Sequence, residues 1–184
     1  MEHGQAQYIA EKWIAYLAPA CERIEIAGSV RRGKYEVHDI DLVAVPRIET
    51  IPDMFGQPGT KVNALEMQVN QLFMERAYIA SLKRGPRYKQ LLLLEGCHLE
   101  LWIVQPPAEF GLQFLIRTGP AEFSHWCVTQ KDKGGGLPSY LHVRDGSIWH
   151  HAEKIATPEE MDVFKILGLE YIEPQERRAR WMQT

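Results

Sequence analysis

Gly28-Ser29-Val30-Arg31-Arg32-Gly33, followed after residues 34–38 by Asp39-Ile40-Asp41-Leu42-Val43-Ala44-Val45, is the stretch on which the reading of this chain turns. A small-residue turn, two arginines and two carboxylates fall within fourteen residues, 28–41. The apolar run 42–45 marks a buried strand, and the acids stand at its start. Residues i and i+2 of a strand project from one face, about 6.5–7 Å apart. Asp39 and Asp41 can therefore both reach a pair of cations about 3.5–4 Å apart, the spacing used in two-metal phosphoryl transfer. The Gly28-Ser29 turn offers backbone N–H groups and a hydroxyl to phosphate oxygens, and Arg31 or Arg32 adds fixed positive charge. Each part alone is ordinary: a turn, a solvated strand end, surface arginines. In this order and this close together they form half of a nucleotidyl-transfer site.

The string GSVRRG followed by DIDLV resembles the signature of family X DNA polymerases, the DNA polymerase beta-like branch of the nucleotidyltransferases. Gly-Ser and the paired acids are common to the wider superfamily; the double arginine and the second glycine narrow it. The resemblance implies an α+β fold: a nucleotidyltransferase palm, in which a mixed β-sheet is flanked by two helices, followed by a small α/β thumb lobe. It implies triphosphate binding by Ser29 and Arg32 at the Gly28 turn, and two divalent ions, Mg²⁺ or Mn²⁺, held by Asp39 and Asp41. His38 stands where the family often has glycine.

Working outward, residues 5–18 read as an amphipathic helix with Tyr8, Ile9, Trp13, Tyr16 and Leu17 on a core stripe, stopped by Pro19. Residues 23–27 and 37–45 read as strands. Residues 46–60 hold three prolines and two glycines and read as a surface loop. Helical spacing returns over 62–75, followed by strands at 78–83, 88–94 and 98–104. These elements predict a first lobe over residues 1–105, which the resemblance implies is the palm.

Within the strand 98–104, polar and apolar residues alternate before an apolar run. A two-metal site needs a third carboxylate from a neighbouring strand, to orient or deprotonate the attacking 3′-hydroxyl. In family X that residue is an aspartate; the matching position here is Glu100. Glutamate is one methylene longer and shifts the nucleophile by something on the order of 1 Å, an error that can cost about 10²-fold in rate.

Residues 108–116 and 121–130 read as helices around Thr118-Gly119-Pro120. Thr118-Gly119 matches the family turn that opens the thumb and contacts the incoming sugar. Ile116-Arg117 stands where the family often has aromatic residues, so Arg117 is expected on phosphate or template. A sharp reversal predicts a cis Gly119-Pro120 bond. Further on, Gly134-Gly135-Gly136 reads as a flexible connection, and residues 140–144 and 147–151 form a hairpin across Asp145-Gly146. Thr157 is expected to cap a helix, with Pro158 at its first position and Glu160 closing a capping box. Residues 169–177 resemble the family's C-terminal strand leading to a Pro-x-Glu-Arg-type helix, so the thumb spans 106–184. His150 and His151, adjacent in a strand, should point to opposite faces and not share an ion. The sequence opens at the palm, with no lyase or fingers domain expected, and therefore no deoxyribose-phosphate lyase activity and low processivity.

Composition sets bounds. The 184 residues are 45% hydrophobic and 24% charged, ordinary for a globular protein long enough to bury a core. Neither a membrane-length apolar run nor a secretory signal pattern is present. Three cysteines far apart read as buried thiols in a reducing compartment. A net charge of −3 and pI near 6.2 exclude a protein that coats nucleic acid, so a DNA-binding face must be local. Its candidates are Arg31, Arg32 and Lys34, then Lys83, Arg84, Arg87 and Lys89, then Lys131 and Lys133.

The reading that joins these features is DNA-directed nucleotidyl transfer from a dNTP to a primer 3′-hydroxyl, with pyrophosphate released, on primer-template or gapped DNA. Such a protein would be a monomer working on short gaps in the cytoplasm, the nucleoid or a viral replication site. Two alternatives stand beside it: template-independent transfer to RNA, protein or a small molecule, and a nucleotide-binding module whose turnover the Glu100 change has weakened.

Overall fold

A computed structural model describes residues 1–52 and 59–177. In chain order the elements are α1 His3–Leu17, β1 Cys21–Ile26, α2 Gly28–Arg31, β2 Asp39–Pro46, β3 Ile48–Ile51, β4 Thr60–Asn63 and α3 Ala64–Met74. There follow β5 Tyr78–Arg84, β6 Tyr88–Leu93, β7 His98–Ile103, α4 Phe110–Thr118, α5 Ala121–Val128, β8 Leu141–Arg144, β9 Ser147–His150, β10 Glu153–Ile155 and α6 Glu160–Leu167.

Five strands make one sheet in the order β1-β2-β7-β6-β5. Only β2 and β7 run parallel; the other neighbours are antiparallel. Strand alternation gives the sheet two unlike faces. Ile40, Leu42, Leu91, Leu93, Leu99 and Leu101 point to one face and are wholly buried under Trp13 and Leu17 of α1 and Leu65 and Val69 of α3. Asp39, Asp41, Glu100 and Trp102 alternate with them, on the other face. The expected mixed sheet flanked by two helices is therefore present. α4 crosses to that second face, where Phe110 and Phe114 pack on Ala27, Val43 and Val104. Helices α4, α5 and α6 and the sheet β10-β9-β8 share a separate cluster built on Leu115, Phe123, Leu141, Ile148 and Phe164. Cys21, Cys97 and Cys127 are buried free thiols. No helix among the described residues is long and apolar enough to cross a membrane.

Several local expectations need correction. Tyr8 and Tyr16 are 69% and 40% exposed, and the inner face of α1 is taken by Ala6 and Ala10, which let the helix lie close to the sheet. The stretch read as a loop over 46–60 carries the two-stranded hairpin β3–β4, Ile48 pairing with Asn63, although residues 53–58 of that loop lie outside the described residues. The Gly28 turn is closed into one helical turn, with Arg31 N–H donating to the Ala27 carbonyl. The glycines at 134–136 are not a free connection. A Cβ on Gly135 would meet the Thr129 carbonyl oxygen at 2.0 Å, and one on Gly136 the Trp126 ring at 2.5 Å. The N-cap of α6 is Glu159, in a capping box with Asp162, while Thr157 is fully buried. Glu160 is engaged elsewhere, as described below. Residues 169–173 are not a strand, and Pro174–Glu176 is a single 3₁₀ turn; the continuation of the expected terminal helix, 178–180, lies outside the described residues. His150 and His151 do not diverge, because His151 turns the chain at φ 54° and brings the two rings to 4.4 Å. The β8–β9 hairpin and the cis Gly119-Pro120 bond are as expected.

Candidate active site

The site begins where β1 ends. Gly28 adopts φ +59°, and a Cβ there would stand 1.9 Å from Asp41 Oδ2. Only glycine allows both the backbone angle and this approach to the carboxylate. α2 then presents Arg31 and Arg32 in different directions. Arg31 turns inward. Its Nη1 donates to Thr118 Oγ1 at 2.7 Å, and its Nη2 to Glu160 Oε2 at 2.7 Å and to Tyr171 Oη at 3.1 Å. Arg177 Nη1 meets the other oxygen of Glu160 at 2.7 Å. Burial alone would raise the Glu160 pKa, but the hydrogen bonds from Arg31 and Arg177 outweigh it and hold the carboxyl below its ordinary 4.5. Arg31 thus ties α2 to α4 and α6, and Arg32 is the arginine left to face the cleft, with Nη1 donating to the Thr118 carbonyl.

That cleft, about 340 Å³ in volume, is lined by Gly28, Ser29, Arg32, Asp39, Asp41, Arg117 and Gly119, with Glu36, His38, Trp102, Ile116 and Ala121 around them. Seven of the residues singled out in the sequence therefore meet at one place. Asp41 pairs in register with Glu100 across the parallel β2–β7 ladder, and Asp39 with His98. The three carboxylates consequently stand on one face of two adjacent strands. His98 Nδ1 lies 3.7 Å from Asp39 Oδ1, Gln90 Nε2 donates to Glu100 Oε1 at 3.2 Å, and Trp102 Nε1 donates to Asp41 Oδ1 at 3.3 Å. Burial pushes the Asp41 carboxyl up to about 6; the negative charges of Glu100 and Asp39 add to this, while the Trp102 hydrogen bond and Arg32 oppose it. Burial and the neighbouring Glu100 push the Tyr88 hydroxyl up to about 12. Among the described residues no three His, Cys, Asp or Glu side chains stand preassembled as a metal cluster. The donor chemistry is that of a hard cation: carboxylate oxygens on one face, close enough for Glu100 and Asp39 to disfavour the ionised form of Asp41.

Other predicted residues are placed differently. Thr118 is fully buried, with its hydroxyl and carbonyl oxygens taken by Arg31 and Arg32. Lys89 is not on the surface. It is 2% exposed and pairs with Glu66 of α3 at 2.6 Å. Lys83, Arg84 and Arg87 are exposed around β5 and β6, Lys83 over the Tyr88 ring and Arg84 over Phe73. Lys131 and Lys133 are exposed on the 3₁₀ turn after α5 and do not line the cleft. Sequence reasoning missed Tyr88 and Trp102. The signal was available: in Tyr88-Lys89-Gln90-Leu91 and Glu100-Leu101-Trp102, alternation sets Tyr88, Gln90 and Trp102 on the face of Glu100, and Lys89 with the leucines.

A family model described as the DNA polymerase beta thumb matches residues 115–178. DNA polymerase lambda of Rattus norvegicus is 32% identical over 165 residues, covering 82% of this chain and 28% of that protein. The chain therefore spans little more than a quarter of the length of that relative. The fold is a mixed α+β protein whose residues 115–178 match the polymerase beta thumb domain. Both likenesses support reading the chain as family X polymerase-like.

Proposed function

We propose that the protein transfers a nucleotide from a dNTP to a primer 3′-hydroxyl on gapped or primer-template DNA, releasing pyrophosphate. The observation that carries this reading is the register of Asp41 with Glu100, two residues from Asp39, beside the Gly28 turn. Ser29 and Arg32 would hold the β- and γ-phosphates from the turn, where Arg32 is kept aimed by its bond to the Thr118 carbonyl. Asp39 and Asp41 would hold two Mg²⁺ or Mn²⁺ ions, with Glu100 completing the one beside the nucleophile. Such ions supply charge neutralisation for the attacking and leaving oxygens. Glu100 then orients the 3′-hydroxyl for in-line attack, and Arg117, with Gly119 beside it, borders the incoming nucleotide. Residues 1–105 act as the palm and 106–184 as the thumb, in a monomer suited to short-gap synthesis wherever intracellular DNA is repaired or copied.

Support comes from the thumb match and from the resemblance to DNA polymerase lambda. A second reading, a nucleotide-binding module with weakened turnover, is favoured by one observation: Glu100 already accepts a bond from Gln90. Glu100→Asp separates the two. Under the polymerase reading, primer extension by this variant stays within about 10²-fold of the unaltered chain in either direction. Under the second, the unaltered chain binds dNTP without turnover and the variant gains it.

A further inference from the structure

Tyr88 and Trp102 are direct partners across the antiparallel β6–β7 ladder, on the sheet face that carries the carboxylates. Their ring centroids are 4.2 Å apart. Lys83 Nζ stands 5.2 Å over the Tyr88 ring, and the Arg117 guanidinium lies 3.4 Å from the Trp102 centroid. A column of cation, ring, ring and cation therefore runs from the edge strand β5 to the last turn of α4. Both rings are half-buried, so filling a core does not account for them. They stand beside the carboxylates instead: Trp102 Nε1 donates to Asp41 Oδ1 at 3.3 Å, and Tyr88 lies diagonally across the β6–β7 ladder from Glu100, on the same face.

A carboxylate at a cleft mouth has several rotamers of similar energy, and a donor fixed on a rigid ring selects one of them. Aromatic side chains suit this task, because stacking between a partner ring and a guanidinium leaves them little freedom. We propose that Tyr88 and Trp102 are positioning residues that set the geometry of Glu100 and Asp41, and that Arg117 clamps the stack from α4. The proposal rests on the reading of these carboxylates as cation ligands. It gives Arg117 a task besides bordering the nucleotide: any movement of α4 against the sheet is transmitted through Trp102 to Asp41.

The test uses the full chain without DNA. Mn²⁺ binding is followed by electron paramagnetic resonance, and the Trp102 indole N–H by two-dimensional ¹H–¹⁵N NMR. Trp102→Phe keeps the ring and removes the donor; Tyr88→Phe keeps the ring and removes the hydroxyl. Each is expected to weaken Mn²⁺ binding about tenfold, the usual scale for loss of a bond behind a metal ligand, with an unchanged thermal midpoint. Asp41→Asn is expected to abolish the tighter Mn²⁺ site and to shift the indole N–H resonance. If Asp41→Asn loses Mn²⁺ while both ring variants bind it like the unaltered chain, the positioning role is overturned and the cation reading stands. If Asp41→Asn binds Mn²⁺ normally, the cation reading falls and takes the positioning role with it. An indole resonance unmoved by Asp41→Asn overturns the contact itself, independently of any metal. If Trp102→Phe lowers the midpoint, Tyr88→Phe decides, through the same two outcomes.

Discussion

A Cβ on Gly28 would stand 1.9 Å from Asp41 Oδ2, at a backbone angle that disfavours every residue with a side chain. Gly28→Ala should therefore displace Asp41 and reduce primer extension by at least about 10²-fold, because ångström errors in reacting geometry cost that much. The affected strand is held by its ladder on both sides, so the chain should remain folded by circular dichroism. Lys89 makes the opposite point. Its charge counts toward a basic patch in the sequence, but the structure buries it beside Glu66 under the helix-covered face. Lys89→Gln is expected to leave DNA affinity unchanged in a fluorescence-anisotropy titration. It should lower stability by about 1–3 kcal/mol in urea unfolding, the scale for a buried group losing its partner. Strand parity is what separates Lys89 from Lys83, which pairs with Gln90 on the opposite face, and parity is readable in the sequence once the strand is assigned; Arg87 is exposed because it precedes β6. The reach of Trp102 to Asp41 is not readable in that way, since it depends on the parallel pairing of two strands more than fifty residues apart.

At the scale of elements, the strands of the five-stranded sheet are legible because each is short, carries regularly spaced apolar residues and is bounded by Gly, Pro or polar turns. The hairpin β3–β4 was not: its residues are mostly exposed, so no burial pattern marks them. The cap of α6 was misplaced by two residues because Glu160, which would have closed a box with Thr157, is drawn into ion pairs from elsewhere in the chain. Those pairs join α2, α6 and the segment ending at Arg177, and they are 0–19% exposed at their side chains. Glu160→Gln leaves the buried Arg177 and the part-buried Arg31 guanidinium groups undercompensated and should cost about 3 kcal/mol. The pH dependence has a definite sign. The folded Glu160 pKa lies below 4.5, so its contribution is fully present above that value and is lost as pH falls through the folded pKa. The stability gap between Glu160→Gln and the unaltered chain, from urea melts, should be constant at neutral pH and close progressively below about pH 4.5.

For the whole molecule, the α+β architecture and the order of sheet, crossing helix and C-terminal cluster follow from patterns that the sequence displays, because each uses local periodicity. The convergence of Ser29, Arg32, Asp39, Asp41 and Arg117 on one cleft is set by pairing between distant segments and by the Arg31 link. With a net charge of −3, nucleic-acid binding must come from a few cations, so affinity should fall with salt along a shallow slope. Replacing Lys131 or Lys133 by alanine should reduce that log–log slope by about one unit each if these lysines touch phosphate, read in the same anisotropy titration.

The central claim is that Asp41, held beside Glu100 and under the Gly28 turn, is at the chemical centre of nucleotidyl transfer. The most direct test is single-nucleotide incorporation on gapped DNA by Asp41→Ala, at saturating dNTP and Mg²⁺, beside the unaltered chain. The account predicts active unaltered protein and a loss of about 10³-fold or more in the variant, the scale of several kcal/mol of transition-state charge stabilisation. Incorporation by Asp41→Ala at the unaltered rate would contradict it.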